Sequence, residues 1–197
     1  MHKSAYFAGF CSLTVFVAAT ALTAQSPVAS VDADWRNYGL NASEDRFSPL
    51  TQINSQSIPN LSLAWSIDLP REARSLEATP LEVDGILYFT VSLGVVYAVD
   101  AATGKQLWTY DPKAWEHNPQ AMRMLQGYHR GVAYDNGAIF LGSHDGRLIS
   151  LDAKTGKANW ITDTVDAKDS RKLITGAPRV FNGKVIIGNG GADYGTR

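Results

Sequence analysis

A nine-residue phrase occurs twice in the chain: DAATGKQLW from Asp100 to Trp108, and DAKTGKANW from Asp152 to Trp160. The copies stand 52 residues apart, and self-similarity at such a period, with apolar runs between, marks a repeat architecture in which each unit is one supersecondary element. The phrase has a turn mechanism. Asp100 and Asp152 can accept hydrogen bonds from backbone N–H groups two or three residues on, and Gly104 and Gly156 supply a position where φ can be positive without a Cβ clash. Each phrase therefore reads as a tight hairpin, entered from an apolar run (Val95 to Val99, Arg147 to Leu151) and left through a strand carrying Trp108 or Trp160. Both indoles read as packing wedges rather than binding groups, because large aromatics stabilise chiefly by burial.

The segments around the phrase repeat as well. The first unit runs from Thr79 to Val83, turns at Asp84-Gly85, and continues through Ile86 to Val91, a turn at Gly94, Val95 to Val99, the phrase, and Gln106 to Tyr110. The second has Gly131 to Tyr134, Asn136-Gly137, Ala138 to Gly142, Asp145-Gly146, Arg147 to Leu151, the phrase, and Ala158 to Asp163. A third opens with Gly176 to Val180, turns at Asn182-Gly183 and runs through Lys184 to Gly188. Asp-Gly and Asn-Gly between alternating apolar segments are hairpin signals. Each unit is thus a four-stranded antiparallel meander, the blade of an all-β fold, the β-propeller. The chain holds about two and a half blades, and propellers close with four to eight. It is therefore expected to be a piece of a longer propeller, with a further Asp-x-x-Thr-Gly phrase near position ~204. Upstream, Leu61 to Leu69 reads as a strand bounded by Asn60 and Pro70, and Asp34 to Ser55 as a lead-in of loops around Trp35, Tyr38 and Phe47.

The N-terminus differs in character. His2 and Lys3 precede an uncharged, apolar stretch from Ala5 to Ala21, followed by small residues. That pattern reads as an export signal; the alternative is a membrane anchor, for which the apolar run is short. Residues 1–24 are read as signal peptide and 25–197 as the propeller segment, with cleavage after Ala21, near Ala24 or near Ser30. Cys11, the only cysteine, lies within the signal, so an internal disulfide or a cysteine nucleophile is excluded from the mature chain. With a net charge of −1 there is no basic stripe, and nucleic acid is not an expected partner.

Residues just ahead of the first strand of each blade gather around one mouth of the axis. Glu77 lies eight residues before Gly85, Arg130 seven before Gly137 and Thr175 eight before Gly183. An acid, a guanidinium and a hydroxyl at one register suit an anionic, carbonyl-rich ligand, since guanidinium forks onto carboxylate. Gly188-Asn189-Gly190-Gly191-Ala192-Asp193 adds a glycine-dense loop with a carboxylate, a pattern compatible with a hard cation such as Ca²⁺. The histidines (His2, His117, His129, His144) have no metal-ligand spacing and read as surface or turn residues. Trp115 and Tyr128 read as loop aromatics that either wall a pocket or pack locally.

The motifs together resemble a known family. Ala98-x-Asp100-x-x-Thr103-Gly104-x-x-x-Trp108 matches the tryptophan-docking motif of the quinoprotein alcohol dehydrogenases, eight-bladed propellers that use pyrroloquinoline quinone (PQQ); the second copy has Ser150 where that motif prefers Ala. WRNYGLNASEDRFSPLTQIN, LEATPL, the DPK starting at Asp111, HRGVA, ITGAPRV and IGNGGADYGTR fall in the family's order. The resemblance covers essentially the whole mature chain. It implies that Glu77, Arg130 and Thr175 touch PQQ, that the backbone of Gly190, Gly191 and Ala192 lies against the quinone, and that Asp193 stands where the family usually has a Ca²⁺-binding glutamate. Two departures mark a divergent branch: the shorter Asp193, and Met124-Leu125 where the family commonly has adjacent cysteines.

What the resemblance implies for function is a PQQ- and Ca²⁺-dependent dehydrogenase that oxidises alcohols to aldehydes and passes electrons to cytochrome c or a membrane quinone. It would act in the periplasm, in some relatives with haem c in a C-terminal domain and in association with the inner membrane. The catalytic base is expected beyond Arg197, so these residues alone are expected to be inactive. The alternative is a non-catalytic propeller scaffold of the outer-membrane assembly type, which has no need of Glu77, Arg130 and Thr175 at one register.

Overall fold

The computed structural model describes residues 34–70, 76–122, 127–166, 171–191 and 195; the expected signal peptide, Met124, Leu125, Ala192 and Asp193 lie outside them. Asp-Gly and Asn-Gly turns generate the hairpins. Asp84 and Gly85 have φ of 51° and 79°, Asn136 and Gly137 45° and 79°, Asn182 and Gly183 49° and 69°. Paired positive φ angles give the turn whose twist matches the flanking strands. The first sheet is β1 (Leu81–Val83), β2 (Ile86–Thr90), β3 (Val96–Asp100) and β4 (Gln106–Tyr110), antiparallel and in sequence order. Two short helices follow, α1 (Ala114–His117) and α2 (Pro119–Met122), which the repeat pattern did not foreshadow. The second sheet is β5 (Ala133–Asp135), β6 (Ala138–Gly142), β7 (Arg147–Asp152) and β8 (Ala158–Asp163). The third unit contributes the hairpin β9 (Arg179–Phe181) and β10 (Lys184–Ile186). This is the expected all-β arrangement of successive propeller blades.

The repeated phrase closes β3–β4 and β7–β8 as its residues dictate. Asp100 Oδ1 accepts from the Thr103 amide at 2.8 Å and the Thr103 hydroxyl at 2.6 Å, and Asp152 does the same with Thr155 at 2.8 and 2.7 Å. These bonds, the side-chain one first, hold both carboxyls below the usual carboxylate range. Both sheets carry the same bulge: Leu107 and Asn159, each just before the tryptophan, have no opposite residue on β3 or β7. An extra residue re-aims the side chain that follows.

That side chain joins the sheets. A Cβ on Gly156 would lie 2.6 Å from Cδ2 and Cε3 of Trp108, so the indole seats directly on the glycine of the next phrase. Its Nε1 donates to the Ala153 carbonyl at 2.9 Å, which also accepts from the Tyr88 hydroxyl at 3.1 Å. Burial pushes the Tyr88 hydroxyl up to about 12. The core between the sheets is Leu81, Val96 and Ala98 against Ile139, Ile149 and Leu151. Burying large apolar side chains contributes about 1.5–3 kcal/mol each relative to exposure.

Three readings of the sequence need correction. Leu61 to Leu69 is not a strand: it is extended, and Trp65, Ile67 and Leu69 are half-buried in alternation, but among the described residues it has no ladder partner. Trp65 nevertheless repeats the docking one sheet earlier. A Cβ on Gly104 would lie 2.5 Å from its ring, and its Nε1 donates to the Ala101 carbonyl at 3.0 Å. Trp108 is 9% exposed, as a wedge should be, whereas Trp160 is 42% exposed and tilts against Phe140 at 6.0 Å; no third phrase stands beside it among the described residues. Finally, His129 and His144 are buried, at 1% and 0% exposure, rather than on the surface, although His144 does lie in a turn as expected.

The lead-in straps the sheets at their hairpin ends. Trp35 bridges Glu82, and Arg36 pairs with Asp34 at 2.6 Å and Asp84 at 3.4 Å beneath the Tyr134 ring. Arg46 and Arg179 both lie against Tyr38, at 4.7 and 4.5 Å.

Candidate active site

β1, β5 and β9 run towards their hairpins from one end of the molecule, and the residues ahead of them meet there. Arg130 Nη1 donates to Thr175 Oγ1 at 3.1 Å, and Nη2 lies 3.8 Å from Glu77 Oε2. The Arg130 amide also donates to the Thr175 carbonyl at 2.9 Å. The side chains of Arg130 and Glu77 are 52% and 39% exposed, so the guanidinium is oriented by its neighbours yet open on one side. The acid, guanidinium and hydroxyl expected from spacing therefore form one constellation.

Packing sets their positions. Ile174, fully buried beside Thr175, inserts where Gly142 has no side chain; a Cβ there would lie 2.4 Å from Ile174 Cγ2. The glycine loop reaches the same end through Gly190, whose N–H donates to the Leu173 carbonyl at 2.7 Å and whose carbonyl accepts from Leu173 N–H at 3.2 Å. The amide of Gly190 is thus already engaged, and this residue offers a ligand close approach rather than a donor. Gly191, at φ 126°, holds a backbone conformation that residues with a Cβ rarely adopt. Ala192 and Asp193, the remaining expected members, lie outside the described residues.

The loop carrying DPK is tied down by the second sheet. Arg147 Nη2 donates to the Pro112 carbonyl at 2.6 Å while Nε donates to Asp145 at 2.8 Å. Asp145, fully buried, also accepts from the Ser143 hydroxyl, so the buried charge is paired and hydrogen-bonded, as it must be. Trp115, 49% exposed on α1, lines an apolar groove of about 410 Å³ with Val91, Leu93 and Tyr97. Glu77, Arg130 and Thr175 are not part of that groove. Tyr128 is half-buried.

Sequence reasoning missed the buried imidazoles behind Arg130. His129 Nε2 lies 2.8 Å from the Gly142 carbonyl, and Nδ1 lies 2.9 Å from Thr90 Oγ1 and 3.2 Å from the Gly131 amide. Burial pushes His129 down to about 4, with His144 and Arg130 adding to the fall and the Gly142 carbonyl opposing it. Burial lowers His144 too. Nothing in the sequence marked them out: His129 lies four residues ahead of β5 and His144 in the turn between β6 and β7, both places where a solvent-facing histidine is equally at home.

Among the described residues no group of three His, Cys, Asp or Glu side chains could hold a metal ion. The cation–hydroxyl–acid constellation, by contrast, has the chemistry to hold an anionic, carbonyl-bearing ligand, with guanidinium and hydroxyl as donors. A family model for the β-propeller domain of PQQ-type glucose/ethanol/alcohol dehydrogenases matches residues 35–196. The chain belongs to this family.

Within the PQQ dehydrogenase family, the chain is 49% identical over 164 residues to quinohemoprotein alcohol dehydrogenase ADH IIB of Pseudomonas putida, covering 83% of this chain and 23% of that protein. It is 46% identical over 169 residues to the dehydrogenase subunit of a quinone-type alcohol dehydrogenase of Komagataeibacter europaeus, with the same coverage. The crystal structure of quinohemoprotein alcohol dehydrogenase from Comamonas testosteroni superposes with a TM-score of 0.75 at 48% identity, over 82% of this chain and 24% of that one. The chain thus spans about a quarter of the length of the relatives it matches.

Proposed function

We propose that this chain supplies one side of the PQQ site of an exported dehydrogenase that oxidises alcohols to aldehydes and delivers electrons to cytochrome c or a membrane quinone. The reading rests above all on Arg130, bonded to Thr175 and facing Glu77 at the rim of three successive units. Family membership and relatives named as quinone-type and quinohemoprotein alcohol dehydrogenases support it. When bound, PQQ supplies the two-electron acceptor that takes hydride equivalents from the alcohol. The protein's own part is orientation. Arg130 forks onto a carboxylate, Thr175 offers a hydroxyl on the same edge, and Glu77 balances the guanidinium and accepts from any donor brought beside it. Gly190 and Gly191 let the backbone come close to a planar ring.

Asp193 is proposed to give one carboxylate to a Ca²⁺ ion whose remaining ligands lie outside the described residues; Ca²⁺ takes six to eight oxygens. The apolar N-terminal stretch supports export to the periplasm. A scaffold has no use for a half-open guanidinium held between a hydroxyl and an acid.

The test is titration of the full-length protein with PQQ, with Ca²⁺ and with chelator in its place; these 197 residues alone are not expected to hold PQQ tightly. Arg130→Ala is expected to weaken PQQ binding by about tenfold or more, the loss of a charge-assisted pair, and chelation to weaken it further. Unchanged binding in Arg130→Ala would sink the assignment.

A further inference from the structure

The segment that carries Arg130 is held by imidazoles, and their hydrogen bonds fix which nitrogen bears the proton. The Gly142 carbonyl can only accept, so His129 Nε2 must donate to it at 2.8 Å. Nδ1 of the neutral ring is then an acceptor, and the Gly131 amide at 3.2 Å and the Thr90 hydroxyl at 2.9 Å both point donors at it. His144 shares only the donor half of this arrangement: its Nε2 donates to the Tyr128 carbonyl at 2.6 Å, while its buried Nδ1 meets no hydrogen-bond partner among the described residues. The rings stand 5.5 Å apart, centroid to centroid, between the first and second sheets. Every residue from Tyr128 to Gly131 is thereby pinned: Tyr128 by His144, His129 through its own ring, Arg130 by the Thr175 carbonyl, and Gly131 by His129. Gly142 serves both sides of the arrangement. Its carbonyl anchors His129, and its missing side chain receives Ile174 beside Thr175.

We propose that His129 and His144 form a clamp of neutral imidazoles that sets the backbone of Arg130 relative to Thr175, making both histidines positioning residues for anion capture at this rim. The proposal rests on the PQQ assignment above for the identity of the anion, not for the clamp itself. A proton on His129 Nδ1 would turn the acceptor into a donor facing the Gly131 N–H, and a bond would become a repulsion. The charged or titratable groups around the pair are Arg130 and His144 for His129, and Asp145, engaged by Arg147, for His144.

Two measurements test the clamp. In the unmutated protein, ¹⁵N NMR of the imidazoles should show His129 as the neutral Nε2–H tautomer from pH 8 to pH 5; an Nδ1–H tautomer, or an imidazolium at pH 6, overturns it. In PQQ titrations, His129→Leu, similar in bulk but without an acceptor, should lose about tenfold in affinity, whereas His129→Asn, whose Oδ1 can take the place of Nδ1, should recover most of it. A purely space-filling role predicts the reverse order, with Leu the better replacement, and that result removes the proposal. If Arg130→Ala leaves PQQ affinity unchanged, the PQQ assignment fails while the tautomer measurement still decides the clamp. If Arg130→Ala weakens binding and His129→Leu does not, the clamp alone is refuted.

Discussion

His129 shows how one buried side chain ties stability to solution conditions. Its folded pKa, about 4, lies below the ordinary value of 6.5, so the unfolded chain binds a proton more readily than the native one. Falling pH therefore favours unfolding. The stabilising contribution is complete above pH 6.5 and disappears as the pH drops to about 4, a change on the order of 3 kcal/mol. His144 shifts in the same direction. Chemical denaturation at pH 7 and at pH 4.5 should show this loss in the wild type and a smaller loss in His129→Leu. The pair was illegible in the sequence because nothing local distinguishes a histidine capping a loop from one buried between sheets. Arg130, Glu77 and Thr175 were legible because repetition fixes their register: counting back from each hairpin glycine works only if each blade starts alike.

Hairpins and phrases are the elements on which that regularity depends, and their glycines do different jobs. Gly137 has φ 79° with nothing within 4 Å of an added Cβ, whereas Gly156 has φ 69° and the Trp108 ring 2.6 Å away. Gly137→Ala is expected to cost about 1–2 kcal/mol, the backbone penalty alone. Gly156→Ala adds displacement of the docked indole and should cost about 2–5 kcal/mol. Comparing both in urea melts separates conformational strain from lost docking; equal costs would contradict the seating of Trp108 on Gly156. Turns and phrases could be read because their chemistry is local. Leu61 to Leu69 could not, because alternation specifies which residues face inwards but not whether another strand lies alongside. The bulges at Leu107 and Asn159 were hidden for a similar reason, since an unpaired residue is defined by the partner strand.

Across the whole molecule, burial declines from the first unit to the third. Every residue of β8 is exposed, and Phe181 and Ile186 of the last hairpin are open to solvent. The same motif residue should therefore matter unequally. Trp108→Ala is expected to destabilise by about 3–5 kcal/mol and Trp160→Ala by less than about 2 kcal/mol, measured by equilibrium unfolding of these 197 residues. The docking also has a direction. Trp65 sits on the phrase after it and Trp108 on the phrase after that, so each sheet presents a wedge on one side and a seat on the other, and the two sides are never alike. Such a joint is heterologous. It cannot be satisfied by a twofold axis, because two wedges do not fit each other and neither do two seats. Sheets joined this way can only follow one another in the same sense, like links in a ring.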